Sequence, residues 1–127
     1  MIYLDSSVAL AHLFAEDRQP PDDLWRELLT ASRLVSYEVW NRVHARRLER
    51  LHEEVRAVLD AVTFVELTPV VLARALEPFP QPVRTLDALH LATIDFLRNQ
   101  GQFIELATYD SRLLAGARAL RIPIRAL

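Results

Sequence analysis

Apolar and polar positions along this chain fall into short blocks whose period switches between that of a strand and that of a helix. Ile2-Tyr3-Leu4 predicts a strand, and Asp5-Ser6-Ser7 is a helix-start signal ahead of the apolar run Val8–Phe14. Ala15 to Pro21 is polar with two prolines and predicts a loop. Asp22 and Asp23 open a short helix through Leu28, where acids suit the positive helix end. A buried strand is expected between Leu29 and Ser36, with Ser32 or Ser36 capping the next helix. Ser32 is favoured, which puts Glu38 in the second turn. That helix is expected to reach about Leu51, with Arg42, Arg46, Arg47 and Arg50 on its outer side. A second piece, Glu53 to Val62, is followed by a strand at Phe64–Leu67 and a helix from Pro69, a residue suited to the first helical position.

Glu77 to Val83 holds three prolines and predicts an irregular loop. The stretch from Arg84 to Ile94 is apolar on nearly every side, the pattern of a buried helix. Asp87 nevertheless sits in its first turn. A carboxylate there needs compensation from the helix end, from Arg84 or from a metal ion. The helix should run to about Gln100, where Gly101 can end it. Phe103–Thr108 predicts a strand, and Asp110 caps a helix to about Leu120. Ile122–Leu127 predicts a last strand that Pro123 confines to an edge. Strands alternating with helices predict an α/β fold, a three-layer sandwich with a mostly parallel central sheet flanked by helices, in one domain spanning residues 1–127.

Composition narrows the chemistry. Hydrophobic residues are 51% of the chain, enough for a core, and a net charge of −2 gives no global attraction to nucleic acid or membrane. No cysteine is present, which removes disulfides and thiolate zinc sites and fits a reducing cytoplasm. Neither a signal peptide nor a membrane span is read. All 15 basic residues are arginine. Every mechanism that needs a lysine is therefore excluded, including a Schiff base, a P-loop and a receiver-type phosphorylation site.

In an open parallel sheet, ligands gather beyond the carboxyl ends of the strands. Asp5, Glu38, Asp87 and Asp110 come from four distant segments and can all reach that edge. Taken singly, the three aspartates also fit as helix-start residues. Taken together, the acids repel one another unless a cation joins them. Hard oxygen donors suit Mg²⁺ or Mn²⁺, and such sites serve phosphoryl chemistry.

The ordered set Leu4-Asp5-Ser6-Ser7, Ser32-x-Leu34-x-x-x-Glu38, Arg84-Thr85-Leu86-Asp87-Ala88-Leu89-His90-Leu91-Ala92 and Ala107-Thr108-Tyr109-Asp110-x-x-Leu113 resembles the PIN domain over essentially the whole chain. In size and layout the chain is similar to VapC-type toxins of toxin–antitoxin pairs. The resemblance implies a Rossmann-like fold and a metal-dependent endoribonuclease. Asp5, Glu38, Asp87 and Asp110 would hold one or two Mg²⁺ or Mn²⁺ ions. A metal-bound water would cut RNA in line to leave a 5′-phosphate and a 3′-hydroxyl. The resemblance also implies a homodimer and inhibition by a VapB-type antitoxin. Such proteins often carry glycine before the final strand, where this chain has Arg121.

Several residues carry two readings. Ser6 is a metal-site hydroxyl or a cap for the first helix, and Thr108 is a support for Asp110 or a plain strand residue. Asn41 steadies Glu38 or is a surface residue. Arg84 and Arg112 contact substrate phosphate or neutralise the acids. The Arg42, Arg46, Arg47 and Arg50 face is a solvated surface or an RNA track. His90 reads as a hydrogen-bonded core residue and Asp95 as a partly exposed charge. Phe14, Trp25, Tyr37 and Trp40 read as core or interface. Two rivals are carried: a catalytically silent PIN-like module that binds RNA or protein, and a receiver-like signalling domain, which the missing lysine disfavours.

Overall fold

The computed structural model describes residues 1–127. Strand β1 (Ile2–Leu4) leads into α1 (Ser6–Leu13), then a 3-10 turn at Asp22–Arg26, β2 (Leu29–Ser32) and α2 (Leu34–Ala45). A second 3-10 turn, Glu49–Leu51, precedes α3 (His52–Asp60) and β3 (Val62–Val65). The chain continues through α4 (Pro69–Ala75), α5 (Thr85–Asn99), β4 (Glu105–Ala107) and α6 (Ser111–Ala119). The four strands pair in the order β3-β2-β1-β4, all parallel. Ile2, Tyr3 and Leu4 are fully buried, as a central strand covered by helices on both faces must be. No helix is long and apolar enough to cross a membrane.

Strand order decides where the chemistry sits. From β1 the chain moves to β2 and β3 on one side, and β4 returns to pair with β1 on the other. The strand order therefore reverses between β1 and β4, and the crevice opens beyond the carboxyl ends of those two parallel strands. The amide of Asp5 donates to Ala107 at 3.0 Å, extending the ladder one residue into the crevice.

Helix α5 is buried along much of its length. Leu91, Ala92, Thr93 and Ile94 are inaccessible to solvent, and the Thr93 hydroxyl donates to the Leu89 carbonyl at 2.8 Å. Burying Leu91 or Ile94 contributes about 1.5–3 kcal/mol each. α5 thus provides a rigid post, with Asp87 at its head.

Several expected boundaries move. α2 ends at Ala45, not Leu51, so Arg42, Arg46, Arg47 and Arg50 do not form one helix face. Arg47 adopts φ 52°, and the Leu48 amide closes back on the Val43 carbonyl at 3.2 Å. This is a helix-ending motif that normally uses glycine. The same device ends α1 at Ala15 (φ 50°) and α6 at Arg121 (φ 57°), where Glu16 donates to Ala11 and Ile122 to Ala117. With only two glycines in the chain, the left-handed residue carries a side chain at three helix ends, and only Gly101 (φ 86°) supplies it freely.

The segment after α3 pairs as Val62–Val65 instead of Phe64–Leu67, because register with Leu29–Ser32 outweighs local alternation. The fourth strand is confined to Glu105–Ala107, and the expected Ile122–Leu127 strand reduces to one bridge between Leu106 and Ile124. Leu106 donates to the Pro123 carbonyl and Arg125 donates to Leu106, but Pro123 has no amide to extend the ladder. The short helix expected through Leu28 is the 3-10 turn Asp22–Arg26, after which Leu29 joins the sheet.

Candidate active site

Asp5, Glu38, Asp87 and Asp110 line one cleft of about 470 Å³, brought there by β1, α2, α5 and the turn after β4. Asp5 is buried and caps α1. Its Oδ2 accepts from Ser7 Oγ at 2.6 Å and from Thr108 Oγ1 at 2.8 Å. Its Oδ1 takes no hydrogen bond. The cap therefore accounts for only half of this carboxylate. Burial pushes the Asp5 carboxyl up from its usual range, against the opposing pull of His90, Ser7 and Thr108.

Ser32 ends β2 and accepts the Leu34 amide at 3.1 Å, so its hydroxyl supports the start of α2 although Arg33 holds the formal cap position. Glu38 follows in the second turn, and its Oε1 lies 2.9 Å from His90 Nε2. His90 Nδ1 meets the Tyr3 hydroxyl at 2.7 Å, and that oxygen accepts the Ser32 amide at 3.1 Å. With Glu38 ionised, Nε2 carries the proton and the neutral ring accepts from Tyr3 through Nδ1. Burial pulls the His90 pKa down, but the hydrogen bond and charge of Glu38, with Asp5 and Asp87, overcome it and leave the imidazole shifted upward. His90 is thus the hydrogen-bonded buried residue expected, and it also ties α5 to an acid of α2.

Asp87 is buried at the head of α5. Arg84 Nε lies 3.4 Å from its Oδ2, and Arg84 also reaches Asp110 Oδ2 at 3.8 Å. Asp110 caps α6 by accepting from the Arg112 and Leu113 amides at 2.8 and 3.1 Å. Arg84 is the guanidinium that spans two acids. Arg112 contributes its backbone amide to Asp110, and no side-chain ion pair links it to the acids.

Other expected residues are placed as follows. Ser6 lines the cleft without capping α1; Asp5 is the cap, and Ser7 is the hydroxyl bound to it. Thr108 accepts the Asp110 amide at 2.9 Å while donating to Asp5, so it supports two acids through one hydroxyl. Asn41 is exposed at the cleft edge and makes no hydrogen bond to Glu38. Asp95 pairs with Arg74 at 3.0 Å, away from the cleft. Phe14, Trp25 and Trp40 pack against the core, whereas Tyr37 is 68% exposed. Sequence reasoning missed Ser7, Tyr3 and the cleft-lining Arg18 as site residues; of the four arginines read as a solvated face or an RNA track, Arg42 lines the cleft. Only the acid-Ser-Ser spacing hinted at Ser7, since an aspartate cap also accepts from hydroxyls nearby.

The donor set fits a hard divalent cation. Carboxylate oxygens of Asp5 and Glu38 lie within 4.8 Å of one another, and His90, whose two nitrogens are taken by Glu38 and Tyr3, braces the pair and is not free to ligate. Asp87 and Asp110 face the same space with Arg84 as their nearest cation. Oxygen donors predominate, as Mg²⁺ and Mn²⁺ require.

Comparison with known proteins bears on this site. A family model described as PIN domain matches residues 2–119. The chain is 30% identical to Ribonuclease VapC47 of Mycobacterium tuberculosis (strain CDC 1551 / Oshkosh), over 93% of this chain and 90% of that protein. It is 28% identical to Ribonuclease VapC35 of the same strain, over 98% and 95%. The crystal structure of M. tuberculosis VapC20, described as a sarcin-ricin loop cleaving toxin, superimposes with a TM-score of 0.68 at 20% identity, covering 91% of this chain and 94% of that one. A toxin–antitoxin complex from Klebsiella pneumoniae gives 0.66 at 18% identity, covering 94% of each chain. At such identities the two structures speak for the fold alone.

Proposed function

This chain belongs to the PIN domain family, and from that premise we propose that its acidic cleft is the active site of a Mg²⁺- or Mn²⁺-dependent endoribonuclease, the toxin of a type II toxin–antitoxin pair. The convergence of four carboxylates from four distant segments on one cleft carries the reading. Asp5, Glu38, Asp87 and Asp110 would hold the ion. When bound, the ion supplies an activated water and neutralises charge on the phosphodiester.

The chain's own groups position the rest. Ser7 and Thr108 grip one oxygen of Asp5 and leave the other free. His90 orients Glu38, as hydrogen-bonded partners of ligating carboxylates do. Arg18 and Arg42 line the cleft and Arg84 stands beside two of its acids, so cations are at hand for the flanking phosphates.

The proposal takes residues 1–127 as a single PIN domain acting in the cytoplasm, held in check by a VapB-type antitoxin. It also takes the working state as a homodimer. Val70, Leu72 and Leu76 of the α4 region, all exposed, support an apolar association surface of this kind.

Purified protein free of antitoxin should cleave structured RNA with Mn²⁺ and stop on addition of EDTA. Asp5→Asn and Asp87→Asn should each abolish cleavage. Cleavage at the wild-type rate by both variants would refute the site. An intact fold that binds no Mn²⁺ by calorimetry would favour the silent binding module.

A further inference from the structure

Resting on the ribonuclease reading, we propose that a second groove beside the acidic cleft is a nucleobase subsite. It would take one unpaired base of the RNA next to the cut phosphate, with Tyr37 as the stacking platform.

The argument begins with the spacing on α2. Glu38, Asn41 and Arg42 lie three and four residues apart and line the acidic cleft. Tyr37, Asn41 and His44 follow the same spacing one position around the helix, and they line a neighbouring groove of about 730 Å³. Asn41 belongs to both spaces, so the two are continuous across one side chain. A strand whose phosphate lies against Glu38 has its adjoining nucleotide at this groove.

The lining suits a base. Trp40 forms part of the groove, but its ring is already engaged: His44 stacks on it at 5.4 Å with planes 21° apart, and Arg56 lies 5.7 Å from its centroid. Tyr37 is different. It is 68% exposed, one residue from an acid of the site, and neither an aromatic ring nor a guanidinium lies over its face, Arg33 being its neighbour in the groove. An exposed ring on a rigid helix, bordered by hydrogen-bonding groups, is what single-stranded RNA recognition uses. Asn41 offers both an amide donor and an acceptor to a base edge. Of the groove's two charged residues, Arg33 is already engaged by Glu66 at 2.7 Å and by the Phe64 ring, whereas the Asp60 carboxylate repels phosphate, so the base and not the backbone is the part of the strand that fits. An amphipathic protein helix would need aliphatic anchors at its rim. The groove's aliphatic residues, Leu59 and Val62, lie buried in the floor.

The test combines kinetics with binding. For cleavage with Mn²⁺, Tyr37→Ala should raise KM about tenfold or more, the size of one lost base stack, with kcat changed less than threefold. Tyr37→Phe should restore the wild-type KM, because the ring and not the hydroxyl stacks. Tyr37 is exposed, so neither change removes core packing. In parallel, a labelled single-stranded oligoribonucleotide is titrated with wild-type protein in Ca²⁺, followed by anisotropy, with an abasic residue stepped through the strand. One abasic position should weaken binding to wild type about tenfold and have no effect on Tyr37→Ala.

An unchanged KM together with abasic effects that persist in Tyr37→Ala overturns the subsite. A shift in oligomeric state of Tyr37→Ala without a change in KM also overturns it, and assigns the groove to a second copy. If wild type cuts no RNA, the ribonuclease reading fails by itself. The abasic scan then decides the subsite separately, and flat binding along the strand rejects it.

Discussion

His90 Nε2 lies 2.9 Å from Glu38 Oε1 although the two residues are 52 positions apart. The pair joins the buried post α5 to the helix that carries Tyr37. Behind it, the Tyr3 hydroxyl links His90 Nδ1 to the Ser32 amide. A buried polar chain of this kind stabilises only when every member is satisfied. This one runs from the central strand to the cleft without a gap.

Tyr3→Phe should expose that dependence. It leaves the Ser32 amide and His90 Nδ1 without partners in the core, which costs about 1–3 kcal/mol. Chemical denaturation should show the loss, and Mn²⁺ calorimetry should show weaker binding because Glu38 is less firmly oriented. Wild-type stability in Tyr3→Phe would mean that the chain of bonds contributes nothing.

Thr108→Val keeps shape and removes the hydroxyl that donates to Asp5 and accepts from Asp110. Cleavage or metal affinity should fall about 10- to 100-fold, the usual cost of losing such a supporting bond. The circular dichroism spectrum should stay native. Full activity would show that Ser7 alone positions Asp5.

The pH dependence of stability follows from the upward shift at His90. The folded state holds this proton more tightly than the unfolded chain does. The contribution is therefore fully present below the ordinary histidine value of about 6.5 and is lost as pH rises through the folded value. Asp5, also shifted up by burial, acts in the same direction over the carboxylate range. In EDTA, Tm should fall as pH is raised from about 6 through neutrality, and His90→Gln should flatten that part of the curve. A Tm that rises over this range contradicts the assignment.

Arg121→Gly should stabilise the protein by about 1 kcal/mol, because glycine relieves the left-handed backbone at φ 57°. The Arg121 side chain is exposed, so little packing is lost. A denaturant midpoint that stays put or falls would show that the arginine makes a compensating contact.

Much of the fold was legible along the chain because its strongest signals are local. Asp5 and Asp110 open helices by accepting nearby amides, Pro69 opens one through its fixed φ, and Gly101 closes α5. The general rule for parallel sheets then brings the four acids to one edge. Other features depended on partners far away in sequence. Arg47 and Arg121 adopt a conformation their residue type resists, because α2 and α6 must end there for Leu48 and Ile122 to turn inward against the core. Val62–Val65 took its register from β2, and not from its own alternation.

The sequence by itself determined the starts of α1, α4, α5 and α6, the parallel α/β arrangement and the company of Asp5, Glu38, Asp87 and Asp110, since each rests on spacing within a few residues or on a rule of strand order. Only the tertiary structure decided that Ser7 and not Ser6 grips Asp5, that His90 binds Glu38 and Tyr3, and that Tyr37 faces solvent beside the cleft. Hydroxyl, imidazole and phenol groups have several possible partners, and packing across 50 to 100 residues selects among them.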